Sequence, residues 1–195
     1  MEESDFCKIE ITVVGLGLIG GSLAMALQKL QFKKVWAVDI DPNVLQEAEE
    51  LHVIDGGFTT GKIPLPQSDL VIICLHPSEV ISFIRESTAY FKEKAVLTDI
   101  CGLKKKIVSE IKPLLRPGLD FVGGHPLAGR EGSGFAQASP EIFRNANYIL
   151  TPVYAKRESV TLLEKIIRSI GCKTVIYMDP DEHDEVIALT SHLPH

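Results

Sequence analysis

An apolar run from Ile9 to Val14 leads directly into Gly15-Leu16-Gly17-Leu18-Ile19-Gly20, after which Ile19, Leu23, Leu27 and Leu30 recur at helical spacing. A strand, a Gly-x-Gly-x-x-Gly loop and a helix in immediate succession leave few folds open. In that pattern the first glycine permits a tight turn, the second lets a diphosphate approach the backbone, and the third lets the helix pack closely on the strand. The start of the helix adds unpaired N–H groups and the positive end of its dipole. Gly15, Leu16, Gly17, Leu18, Ile19 and Gly20 are therefore the candidate cofactor-binding segment. A second apolar stretch, Val35 to Val38, ends in Asp39, 19 residues after Gly20. A carboxylate at that place accepts hydrogen bonds from two ribose hydroxyls and repels a 2′-phosphate, so the expected cofactor is NAD rather than NADP. The competing reading of Asp39 is a solvated acid in a turn.

The 195 residues suit one large domain, and 45% hydrophobic with 24% charged residues is ordinary for a globular chain. The net charge of −6 argues against a nucleic-acid or anionic-membrane surface, although a local site can still take an anionic substrate. No apolar run reaches the ~18 residues that span a bilayer, and the acidic N-terminus has no signal-peptide core. The four cysteines, Cys7, Cys74, Cys101 and Cys172, are scattered without a Cys-x-x-Cys pair, which disfavours zinc and a disulfide framework. A reducing cytoplasm is the expected location.

Strand-like and helix-like segments alternate along the chain. Helices are predicted over 42–51, 77–90 and 105–115, and strands over 70–74 and 95–99, with a loop and one short strand between residues 55 and 66. Further on, residues 121–124 and 148–151 read as strands, and Leu163, Ile166, Ile167 and Ile170 form a helical face closed by Gly171. Residues 173–177 make another strand, and Asp179-Pro180 caps a last helix. The alternation predicts a Rossmann-type α/β fold: a doubly wound, mostly parallel sheet with helices on both faces. By analogy its strand order is 3-2-1-4-5-6. Residues 1–178 are expected to form the nucleotide-binding domain, and 179–195 the start of a linker helix. The chain ends abruptly on Ser191-His192-Leu193-Pro194-His195 and reads as an interrupted protein.

His125 lies in Gly123-Gly124-His125-Pro126-Leu127-Ala128-Gly129-Arg130-Glu131-Gly132-Ser133-Gly134, just past a predicted strand. There it can meet a ligand at the carboxyl edge of the sheet and accept a proton near neutral pH. A histidine that only caps a turn fits the same position. His183, His192 and His195 crowd into the last 13 residues. Pro194 spoils a regular ligand pair there, and no acid or thiol completes a set, so no metal is expected.

Taken together, the glycine loop through Ser22, the Gly123–Gly134 loop, and His183-Asp184 followed by Ser191-His-Leu-Pro-His195 resemble the prephenate/arogenate dehydrogenase family of tyrosine biosynthesis. The resemblance implies NAD-dependent oxidative decarboxylation of prephenate to 4-hydroxyphenylpyruvate. It makes His125 the catalytic residue, accepting a hydrogen bond from the ring 4-hydroxyl. Glu131, His195 and His183 fall on the substrate side. Family members carry a further helical domain that builds a homodimer and supplies an arginine for the substrate; it is expected to be absent here. One departure stands out: Asp99-Ile100-Cys101-Gly102-Leu103-Lys104 has Gly102 where the family motif has a serine. Lys104, Lys105 and Lys106 read as a solvated helix start, and Cys101 as a poor nucleophile. Alternatives are arogenate as substrate, a β-hydroxyacid dehydrogenase that would need a catalytic lysine on a following domain, and an NAD-binding regulatory module without turnover.

Overall fold

The apolar runs of the sequence become the strands of one eight-stranded sheet in a computed structural model that describes residues 6–153 and 155–191. In chain order the elements are β1 (Glu10–Val14), α1 (Leu18–Gln28), β2 (Lys34–Val38), α2 (Pro42–Glu50), β3 (Gly56–Phe58), β4 (Leu70–Ile73), α3 (Pro77–Ser87) and β5 (Val96–Asp99). They continue as α4 (Lys105–Ile111), β6 (Asp120–Leu127), β7 (Asn147–Thr151), α5 (Arg157–Ser169), β8 (Thr174–Tyr177) and α6 (Pro180–Ser191). The spatial order is β3-β2-β1-β4-β5-β6-β7-β8. It contains the expected 3-2-1-4-5-6 order and extends it by two strands. All neighbours run parallel except β6 and β7.

Alternate residues of each strand feed opposite faces, as the pleat demands. Ile11 and Val13 of β1, with Leu70 and Ile72 of β4, pack under α1, α2 and α5 through Leu23, Leu27, Leu45, Leu163 and Ile167. Val14, Val71 and Ile73 face the other way, against Val80 and Ile84 of α3 and Ile107 and Ile111 of α4. Strands covered on both faces read as continuous apolar runs, which is why β4 was visible without any alternation.

Asp41 caps α2 by accepting the Asn43 N–H at 2.9 Å, with Pro42 at the first helical position. Asp179 likewise accepts the Asp181 N–H at 2.9 Å at the start of α6. The predicted helix over 105–115 stops earlier. α4 ends at Ile111 and tightens into a 3-10 turn over Lys112–Leu114, where Pro113 has no N–H to continue the α-helical ladder.

β6 is longer than its sequence suggests. It pairs with β5 only as far as Val122, then continues to Leu127 against antiparallel β7. His125 therefore lies inside a strand rather than on the loop beyond one, with Ile149 opposite. Gly123 and Gly124 are glycines because a side chain at either position has no room. A Cβ at Gly124 would sit 2.6 Å from the Asp99 carbonyl oxygen, and one at Gly123 2.2 Å from Thr151 Oγ1. No helix among the described residues is long and apolar enough to cross a membrane.

Candidate functional site

At the carboxyl end of β1 the chain turns through Gly15, whose φ of +88° is left-handed and whose Cβ, if present, would lie 2.7 Å from the Cys74 carbonyl oxygen. A Cβ at Gly20 would lie 1.9 Å from the Gly15 carbonyl oxygen, so α1 reaches the turn only because that side chain is missing. A Cβ at Gly17 would meet nothing within 4 Å. Two glycines of the loop are required by packing and the middle one borders open space, the division of labour a diphosphate-binding loop needs. Asp39, at the end of β2, accepts the Leu16 N–H at 2.7 Å and the Asp41 N–H at 2.9 Å. It is more than a solvated acid: it ties the loop to β2, one backbone bond to each oxygen. Each carboxylate oxygen keeps acceptor capacity for a ribose hydroxyl.

Two residues beyond the motif also matter. A Cβ at Gly21 would lie 2.7 Å from the Phe135 ring, and Ser22 Oγ donates to the Leu18 carbonyl at 2.6 Å while accepting the Ser139 N–H at 2.9 Å. The segment that follows the His125 strand thus clasps the first turns of α1. The Gly-Gly-Ser run carried this signal, since two adjacent glycines inside a helix cost stability unless something packs on them.

Between the glycine loop and His125 lie the ends of β4 and β5. A Cβ at Gly20 would also lie 3.0 Å from Cys74 Cβ, and the Cys101 thiol donates to the Leu75 carbonyl at 3.4 Å. Burial, reinforced by the Asp99 charge, pushes the Cys101 thiol up to about 12, which leaves it inert as a nucleophile near neutral pH. Asp99 organises the rest. It accepts the Cys101 N–H at 3.0 Å and, past the end of the β5–β6 ladder, the Gly124 N–H at 3.1 Å.

Asp99 also pairs with Lys104, and neither side chain has exposed surface. This corrects the reading of Lys104 as part of a solvated helix start. Lys105 and Lys106 face solvent, whereas Lys104 turns inward to the Asp99 carboxylate, which offsets its burial.

His125 is half-buried at the head of a side-chain relay. Its Nδ1 lies 2.9 Å from His183 Nε2, and His183 Nδ1 lies 2.7 Å from Asp184 Oδ1. Asp184 in turn accepts the N–H of Lys104 at 2.8 Å and of Lys105 at 3.1 Å, capping α4 from α6. Burial, helped by His183 and the Lys104 charge, drives the His125 pKa down from 6.5 to about 4. Burial would raise Asp184, but hydrogen bonds from His183 and from the two backbone N–H groups outweigh it and hold the carboxyl below its ordinary range. The other ring nitrogen of His125, Nε2, faces Gly102: a Cβ there would stand 3.5 Å from it.

The structure brings together His125, His183, Gly102 and Asp99 at the carboxyl ends of β5 and β6, with the glycine loop and Asp39 at the neighbouring ends of β1 and β2. β1 and β4 flank the switch point where such sheets bind ligands. His183 has no exposed surface and sits behind His125. Glu131 is exposed on the loop between Leu127 and Phe135. His192 and His195 lie outside the described residues. Among the described residues no group of three or more His, Cys, Asp or Glu side chains is arranged to hold a metal ion.

Residues 23–176 match the family model for the prephenate dehydrogenase nucleotide-binding domain. The chain is 34% identical to prephenate dehydrogenase of Bacillus subtilis, a match that covers 96% of this chain and 51% of that protein. It is 30% identical to the crystal structure of A. aeolicus prephenate dehydrogenase in complex with hydroxyphenyl propionate and NAD+, with a TM-score of 0.88 over 98% of this chain and 67% of that one. Synechocystis arogenate dehydrogenase gives 28% identity and a TM-score of 0.88, covering 94% of this chain and 64% of that one. The chain spans about half the length of the curated Bacillus relative. It belongs to the prephenate dehydrogenase family, whose nucleotide-binding domain its residues 23–176 match.

Proposed function

We propose that this chain binds NAD through residues 15–20 and Asp39 and carries His125 as the hydrogen-bond acceptor for oxidative decarboxylation of prephenate to 4-hydroxyphenylpyruvate. The fit to NAD rests on the loop's own geometry: open space at Gly17, close packing at Gly15 and Gly20, and a carboxylate at Asp39 that a 2′-phosphate would face. NAD, when bound, supplies the hydride acceptor.

The observation that carries the reaction is the placement of His125 Nε2 beside Gly102, at the sheet edge shared with the glycine loop. The ring carbon bearing the 4-hydroxyl gives up a hydride and its C–O bond gains carbonyl character. The hydroxyl becomes more acidic as it does so, and His125 accepts its hydrogen bond most strongly then. An imidazole that stays neutral down to about pH 4 has its lone pair available throughout the physiological range. Carbon dioxide then leaves the ring carbon that carries the carboxylate, its bonding electrons completing the aromatic ring. Asp99 and Lys104 hold the Cys101–Lys104 loop and β6 in register, so Gly102 and His125 keep their spacing.

Glu131 and His195 are proposed on the substrate side, with a homodimer formed by the part of the protein that the relatives have beyond the matched span. Arogenate offers the same ring and hydroxyl, and the likeness to the Synechocystis enzyme supports it as a second substrate. The test is NADH formation from prephenate and from arogenate, with the unsubstituted protein and with His125→Asn. Turnover that falls at least about a hundredfold in the variant supports the assignment. Turnover that survives the substitution overturns it.

A further inference from the structure

We propose that His183 and Asp184 are positioning residues that hold His125 in the Nδ1–H tautomer, so that the Nε2 lone pair is the one presented beside Gly102. The proposal rests on the reading of His125 as the acceptor of the substrate hydroxyl. It is carried by the hydrogen-bond inventory of three side chains. An ionised carboxylate only accepts, so at the 2.7 Å contact His183 Nδ1 donates to Asp184. A neutral imidazole has one N–H, so His183 Nε2 is then an acceptor. The group facing it at 2.9 Å, His125 Nδ1, must donate. What remains on His125 is a bare Nε2.

Asp184 is held firmly enough to set the direction of these hydrogen bonds. Its two oxygens are occupied by the N–H groups of Lys104 and Lys105 as well as by His183, so the carboxylate cannot turn away. The same bonds fasten α6 to the first turn of α4, directly after the loop that carries Gly102. One acidic residue thus orients the imidazole from behind and steadies the loop in front of it. His183 has no exposed surface, which removes water as a competing partner for its ring nitrogens. The remaining charged groups near His125 are Lys104 and Asp99, which are paired with each other.

The imidazole nitrogen NMR shifts of His125, assigned by comparison with His125→Asn, report the tautomer without any need for turnover. Protonation at Nδ1 is expected in the unsubstituted protein and in His183→Gln, whose amide oxygen can accept the same N–H. In His183→Leu the partner is lost and Nε2–H, the form free imidazoles favour, becomes the major species. With prephenate and NAD, His183→Leu is expected to lower kcat by at least about tenfold with KM changed by less than about twofold, and His183→Gln to recover most of that loss. Protonation of His125 at Nε2 in the unsubstituted protein overturns the proposal. So does an unchanged tautomer in His183→Leu, or an equal loss of kcat in both variants. If His183→Leu does not fold, the unsubstituted protein and His183→Gln still give the deciding spectra. An Nδ1–H tautomer in a protein that never turns over prephenate supports the positioning and defeats the reaction assigned to it.

Discussion

The Lys104 ammonium and the Asp99 carboxylate pair with each other where neither has any surface in contact with solvent. Asp99 spends its remaining acceptor capacity on the backbone of Cys101 and Gly124. Removing the lysine strands a buried charge, whereas removing both ends of the pair does not. Lys104→Met is therefore expected to cost about 3–5 kcal/mol of folding stability. The double variant Lys104→Met with Asp99→Asn is expected to be more stable than the single one, because the amide can keep one of the backbone bonds. Denaturant unfolding of the three proteins measures both differences. A single variant within about 1 kcal/mol of the parent would show that the pair is not holding the loop.

Gly102 sets up a second expectation. A side chain there begins 3.5 Å from His125 Nε2, and its backbone is not in the left-handed region, so Gly102→Ser brings a hydroxyl to the imidazole without a clash. One added hydrogen bond to the substrate hydroxyl, worth about 1 kcal/mol, corresponds to about a fivefold gain in kcat/KM. Thermal stability should hardly change. Steady-state kinetics with prephenate decides the matter: a fall in kcat/KM would mean that Gly102 leaves space the substrate itself needs.

Local signals were the ones the sequence made legible. The glycine loop, the Asp39 spacing, the caps of α2 and α6, and the His125 segment all declare themselves within a few residues, because each answers to a turn, a helix end or a close backbone approach. The roles of Lys104 and Asp184 could not be read that way. A run of three lysines reads as solvated unless one knows that Asp99 is waiting inside, and the Asp184 cap on α4 joins residues 80 positions apart. The length of β6 was hidden for a similar reason. Its last residues depend on a new partner, β7, that arrives from later in the chain.

Asp39 makes the cofactor preference testable. Its carboxylate holds the Leu16 N–H at 2.7 Å, at the end of β2 beside the glycine loop. Asp39→Asn keeps an oxygen for Leu16 but gives up the charge and part of the acceptor capacity. A charge-assisted hydrogen bond is worth about 1.5–3 kcal/mol, so NAD affinity should fall about tenfold to a hundredfold. NADP affinity should fall less or rise, since the repulsion of its 2′-phosphate is removed. Fluorescence titrations with both dinucleotides give the ratio directly. An unchanged ratio would assign Asp39 to loop anchoring alone.

The depressed pKa of His125 should be visible in stability as well as in a titration. In the unfolded chain the imidazole takes up its proton near 6.5, and in the folded protein only near pH 4, because burial beside His183 and Lys104 opposes the charge. Between those values the unfolded state binds more protons, so lowering the pH through this window draws the equilibrium toward unfolding. The contribution is complete above about pH 6.5 and is lost progressively down to about pH 4. Allowing for the partial exposure of the ring, the loss between about pH 7 and about pH 5 amounts to about 1 kcal/mol. Asp184 stays out of this window, since its carboxyl is held below its ordinary value and yields only in stronger acid. Denaturant unfolding at the two pH values, run on the parent and on His125→Asn, isolates the effect: the variant should lack that increment of pH dependence. Equal slopes in the two proteins would mean that His125 takes up its proton as readily in the folded protein as in the unfolded chain.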